Sequence, residues 1–169
     1  LDVEKDPDGQ ALAGQRFDAV IASNVVHATA DLRRTLGHVR QLLSPGGMLL
    51  LVEVTSRQPW ADLIFGLTDG WWRFADADLR PDYPLLTADR WVELLNNTGF
   101  SEASAVRTTG NPLEQSLVIA RRARRSMPAS RQAPATAASH RPGRWLVLAD
   151  RTGVADALAA RLRARGEGC

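Results

Sequence analysis

The chain has 169 residues, of which 44% are hydrophobic and 24% charged, and its formal net charge is +2 at pH 7. This is an ordinary globular composition with length for one domain of normal size. No apolar run nears the ~20 residues a membrane helix needs, and the single cysteine, Cys169, supports neither a disulfide framework nor a cysteine-based zinc site within the chain. The charge is uneven, with 11 Arg against three acids from residue 121 onward. Those Arg lie among Ala, Ser and Pro with no aromatic between them before Trp145, a pattern that argues against nucleic acid as a partner. The opening "LDVEKDPDGQ" has neither the basic nor the apolar region of a secretory signal, so a cytoplasmic protein is expected.

In chain order, "FDAVIAS" (17–23) is a short apolar run ending in small residues, the pattern of a buried parallel strand. "DLRRTLGHVRQLL" (31–43) follows with Leu32, Leu36, Val39, Leu42 and Leu43 at helical spacing and Asp31 as N-cap. "SPGG" (44–47) stops that helix, and "MLLLVEV" (48–54) is a second buried strand. Together they form one βαβ unit with parallel strands and a right-handed crossover. "WADLIFGLTDGWWRF" (60–74) is helix-like and aromatic, and "TADRWVELLNNTGF" (87–100) is a helix capped by Thr87 and ended at Gly99. "SEASAVRT" (101–108) and "QSLVIARR" (115–122) read as a hairpin around "TGNPLE". Residues 123–142, rich in Ala, Pro, Ser and Arg, read as a linker. A strand at 145–149 and an amphipathic helix at 154–165 then suggest the first βα unit of a second α/β domain.

Ligands of open α/β sheets sit at the carboxyl ends of the parallel strands. Two stretches lie there: "ASNVVHAT", which holds His27, and "VEVT", which holds Glu53. A neutral imidazole is a competent base near pH 7. A carboxylate on its second nitrogen fixes the tautomer and stabilises the imidazolium that forms. A lone histidine at a strand end is also a common structural residue, and Glu53 alone reads equally as a cap or an ion-pair partner.

"LDVEKDP", "FDAVIASNVVHAT", "LLSPGG.LLLVEVT", "DLIFGL..GWWRF" and "YPLLTADRWVELL" together resemble the C-methyltransferase domain of type I polyketide synthases over residues 1–121. The tail "GRWLVLADRTGVADALAARLRARGE" is similar to the start of a ketoreductase structural subdomain. The resemblance implies the C-terminal half of a class I S-adenosylmethionine-dependent, Rossmann-like fold over 1–122, ending in an antiparallel hairpin. A linker (123–142) and a ketoreductase-like unit (143–169) would follow. It also implies methylation at the α-carbon of a β-ketoacyl chain on an acyl carrier protein, with His27 as base and Glu53 assisting. Asp2 and Val3 would contact adenine, and Ser23 and Asn24 the methionine end of the cofactor. Phe65, Trp71, Trp72 and Phe74 would wall a substrate tunnel, or else pack a lid as aromatics at helical spacing usually do.

No metal is implied, and the lone Gly153 of the tail does not make a nucleotide loop. The glycine-rich cofactor loop and the ribose-binding acid of such folds are expected before residue 1. The chain is therefore read as a piece of a longer, dimeric synthase, inactive by itself. The competing readings are an O- or N-methyltransferase of a secondary-metabolite megasynthase, and a degenerate domain kept as scaffold.

Overall fold

The computed structural model describes residues 1–107, 114–124, 143–148 and 154–169. The turn expected around 109–113, most of the expected linker with its His140, and the turn at 150–153 lie outside the described residues. The elements are β1 (Phe17–Ser23), α1 (Leu32–Leu42), β2 (Leu43–Val54), α2 (Pro59–Phe65), α3 (Ala88–Asn97), β3 (Phe100–Arg107), β4 (Gln115–Arg122), β5 (Trp145–Leu148) and α4 (Val154–Ala164). The strands form one sheet in the order β3-β4-β2-β1-β5. β1 runs parallel to β2 and β5, while β4 runs antiparallel to β2 and β3.

β1 is buried along most of its length, as a strand flanked on both sides requires. Both expected caps form: Asp31 accepts from the Arg34 N–H at 3.0 Å and Thr87 from the Arg90 N–H at 3.4 Å. The apolar stripes of α1 (Leu32, Leu36, Val39) and α3 (Trp91, Leu94, Leu95) share one core with Val20, Leu49, Leu51 and Val118 of the sheet. Each such side chain contributes about 1.5–3 kcal/mol on burial.

Two local expectations need correction. "SPGG" does not separate helix from strand, because β2 begins directly at Leu43. Phe17 pairs with Leu43 and Ala19 with Met48, so the residues between bulge. Gly46 takes φ +81° in that bulge, and a Cβ on Gly47 would lie 2.9 Å from the Ser44 carbonyl oxygen and 3.1 Å from that of Phe17. The glycines therefore let the two chains approach, rather than merely ending a helix. The second correction concerns residues 60–74, which are not one helix. α2 ends at Phe65, where the Thr68 hydroxyl and N–H both return to the Phe65 carbonyl, and a separate 3₁₀ turn spans Asp69–Trp72. Ala61 is the buried residue of α2, so no continuous apolar face holds a longer helix together.

Residues 143–169, read above as the opening of a second unit, here supply β5 on the edge of β1. Val20 pairs with Leu146 and Ala22 with Leu148. Among the described residues, no helix is long and apolar enough to cross a membrane.

Candidate active site

The site forms where β1 and β2 end. After Ser23 the chain turns sharply: Asn24 takes a left-handed conformation with φ 51°, and its N–H donates to the Val52 carbonyl at 2.8 Å. A 3₁₀ turn at Val26–Ala28 then carries His27. The turn is held by the Thr29 hydroxyl, which donates to the Val26 carbonyl at 2.8 Å and accepts from the Thr35 hydroxyl of α1 at 3.0 Å.

Glu53 lies on the neighbouring strand in the inward register of Leu49 and Leu51, and it is fully buried. A carboxylate survives there only with partners, and each oxygen has one. Oε1 accepts from the Val26 N–H at 3.1 Å, and Oε2 lies 2.6 Å from His27 Nδ1. With Glu53 as a carboxylate, both oxygens accept, Nδ1 donates and Nε2 is the ring's open nitrogen. The same carboxylate thereby orients the ring and pins the backbone of the turn that carries it.

His27 lines a cavity of about 600 Å³ together with Asn24, Trp60, Phe65, Trp71 and Gln115, among others. Trp71 meets the imidazole edge-on at 6.2 Å between ring centroids and stacks on Phe65 at 5.6 Å. Asn24 Oδ1 and Trp71 Nε1 are buried with no hydrogen-bond partner. Orphaned groups of this kind are expensive in a core, and beside a cavity they are groups a bound molecule can satisfy.

The structure thus brings His27, Glu53, Asn24, Phe65 and Trp71 together. Ser23 ends β1 next to Asn24. Trp72 and Phe74 stand outside the cavity lining. Trp72 is half-exposed and donates from Nε1 to the Gly66 carbonyl at 2.9 Å, while Phe74 lies beneath the Arg80 guanidinium. Asp2 and Val3 also lie outside it, on a segment tied to α1 by His38 Nδ1, 2.9 Å from the Val3 carbonyl. Asp2 is exposed, and the Lys5 ammonium 3.0 Å away holds its carboxyl below the usual range. Sequence reasoning missed Glu4, whose Oε1 accepts from the Ala30 N–H at 2.8 Å, and the buried pair Asp76–Arg80. The only signal for that pair was an acid four residues before an arginine in "DADLR".

Among the described residues no cluster of His, Cys, Asp and Glu is arranged to hold a metal.

A family model described as a methyltransferase domain matches residues 1–49. The highly reducing polyketide synthase lcsB of Purpureocillium lilacinum is 41% identical over 120 residues, which is 70% of this chain and 5% of that protein. The crystal structure of the CurJ carbon methyltransferase superposes with a TM-score of 0.67 at 47% identity, over 73% of this chain and 34% of that one. The trans-methyltransferase CalH, solved in complex with SAH, gives 0.65 at 35% identity, over 73% of this chain and 35% of that one. The chain thus spans about a twentieth of that curated relative and about a third of these two solved chains. Its sheet has the Rossmann-like fold of the class I S-adenosylmethionine-dependent methyltransferases.

Proposed function

The chain is a relative of the methyltransferase regions of polyketide synthases, and from that premise we propose that it carries the base of a carbon methyltransferase acting on a β-ketoacyl thioester. The observation that carries the reading is the bond of 2.6 Å from His27 Nδ1 to the fully buried Glu53, with the ring on the cavity wall. Nε2 of the neutral imidazole takes the α-proton, which is already fairly acidic between two carbonyls. Glu53 stabilises the imidazolium, and the carbanion is left facing the cavity. Bound S-adenosylmethionine supplies an electrophilic methyl group to that carbon. The residues present suit such a ligand: Asn24 Oδ1 is a buried acceptor awaiting a donor, and an ammonium group is one. Asn24 and Ser23 would hold the methionine end, with Asp2 and Val3 at the adenine. Phe65 and Trp71 screen the imidazole from water and offer apolar surface to the acyl chain.

In the intact protein the substrate would arrive on an acyl carrier protein, alongside other synthase domains in cis and within a homodimer. The residues from 143 onward, which pair with β1 in this structure, would in the intact protein open a ketoreductase-type structural unit instead, joined through a linker at 123–142. The test is His27→Ala in the complete synthase, with methyl transfer to a β-ketoacyl thioester followed by mass spectrometry. Transfer should fall below detection while S-adenosylmethionine still binds. Near-normal transfer removes His27 as the base, and a product methylated on oxygen or nitrogen removes carbon as the acceptor.

A further inference from the structure

Arg80 is 1% exposed and lies under the turn that carries His27. Its Nε donates to Asp76 Oδ1 at 2.6 Å, one terminal nitrogen to the His27 carbonyl at 2.8 Å, and the other to the carbonyls of Thr29 at 2.8 Å and Ala30 at 3.1 Å. The second oxygen of Asp76 accepts from the Leu32 N–H at 2.9 Å, at the start of α1. The Ala75 N–H also donates to the Ala30 carbonyl at 2.7 Å. His27 is therefore gripped at both ends. Glu53 holds the ring from β2, and Arg80 holds the backbone carbonyl from a loop more than 50 residues downstream.

A buried ion pair is a costly way to fill a core, and apolar side chains of similar volume stabilise as well or better. What the pair adds here is direction. A planar guanidinium presents its donors in a fixed fork, which a single ammonium cannot reproduce. Here that fork orients the His27 carbonyl of a one-turn 3₁₀ segment and the Thr29 and Ala30 carbonyls that follow it, a stretch with little regular structure of its own to hold it.

We propose that Arg80, braced by Asp76, is a positioning residue for His27, fixing the turn so that the imidazole keeps its bond to Glu53 and its open nitrogen toward the cavity. This rests on the reading of His27 as the base. Misplacing a reacting group by about 1 Å costs on the order of 10²-fold in rate.

The experiment uses the complete synthase with Arg80→Lys, which keeps the charge opposite Asp76 but loses the fork, and with His27→Ala beside it. For Arg80→Lys, kcat for methyl transfer should fall by about 10²-fold. KM for the acyl-carrier substrate and the affinity for S-adenosylhomocysteine should stay within about twofold. An unchanged kcat overturns the proposal. So does a parallel loss of kcat, KM and S-adenosylhomocysteine affinity, which is the signature of a loosened fold. Retained turnover in His27→Ala removes the base reading itself, whereas loss there with full activity in Arg80→Lys removes only the positioning role. Should circular dichroism show that Arg80→Lys does not fold, Asp76→Asn decides. It leaves the carbonyl bonds and weakens the brace, so kcat should drop about tenfold at constant KM, and an unchanged kcat overturns the proposal.

Discussion

At the scale of the residue, Glu53 is a buried carboxylate whose bonds all go to one short turn. That dual grip makes Glu53→Gln informative. An amide accepts at its oxygen alone, and the Val26 N–H can only donate, so the oxygen goes to Val26 and the NH2 meets Nδ1. The imidazole is then driven to the tautomer whose proton faces the cavity. By analogy with hydrolytic triads, turnover should fall about 10²–10⁴-fold, less than in His27→Ala. Single-turnover methylation rates check this, and equal losses in the two variants would give Glu53 a direct part in proton transfer. The resemblance carried by "NVVHAT" and "VEVT" singled out this pair in the sequence, and their places at the ends of two neighbouring strands agree with it. Arg80 was not legible, because an arginine in a loop looks solvated until three-dimensional folding puts three backbone carbonyls around it.

At the scale of the element, α1 and α3 were readable because their apolar stripes and caps agree. Residues 60–74 were not, since Leu63 and Leu67 are 73% and 84% exposed and apolar periodicity there has no core to answer to. α2 is held instead by a polar latch, the Tyr83 hydroxyl donating to Asp62 at 2.7 Å, with the Arg57 guanidinium 4.4 Å from the ring centroid. Burial, and then the bond to Asp62, push the Tyr83 phenol from 10.0 up to about 12. The folded form therefore holds this proton more tightly than the unfolded chain does. The latch contributes its full stability below about pH 10 and loses it as the pH rises toward 12. Tyr83→Phe should cost about 1 kcal/mol at neutral pH and should lack this part of the alkaline fall. Urea unfolding at a series of pH values measures both. The chain has a single tyrosine, so tyrosinate absorbance reads the titration directly. An identical alkaline profile in the two proteins would remove the latch from the account.

At the scale of the molecule, the sheet has a firm middle and a weak side. β2 is paired on both sides by β1 and β4 from Met48 to Val52, whereas β5 is a partly buried strand of four residues with one neighbour among the described residues. Hydrogen exchange read by mass spectrometry should find the β2 amides protected longest and those of β5 exchanging first. Equal protection would mean that β5 is as integral to the sheet as β2. The sequence "GRWLVLAD" reads as a strand but says nothing about its partner, because strand pairing is set by which edge is open as much as by the strand itself. The expected half-sheet over 1–122 was legible for the opposite reason. Its strands, helix caps and hairpin all agree on one topology.

The central claim is that His27 removes a proton from carbon, and this can be observed without any methyl transfer. A β-ketoacyl thioester on its carrier protein is incubated in D₂O with the complete synthase and no methyl donor, and deuterium at the α-carbon is followed by mass spectrometry. The account predicts that the wild-type protein accelerates the exchange and that His27→Ala, still folded and still binding S-adenosylhomocysteine, leaves it at the uncatalysed rate. Equal acceleration by the two proteins would contradict it.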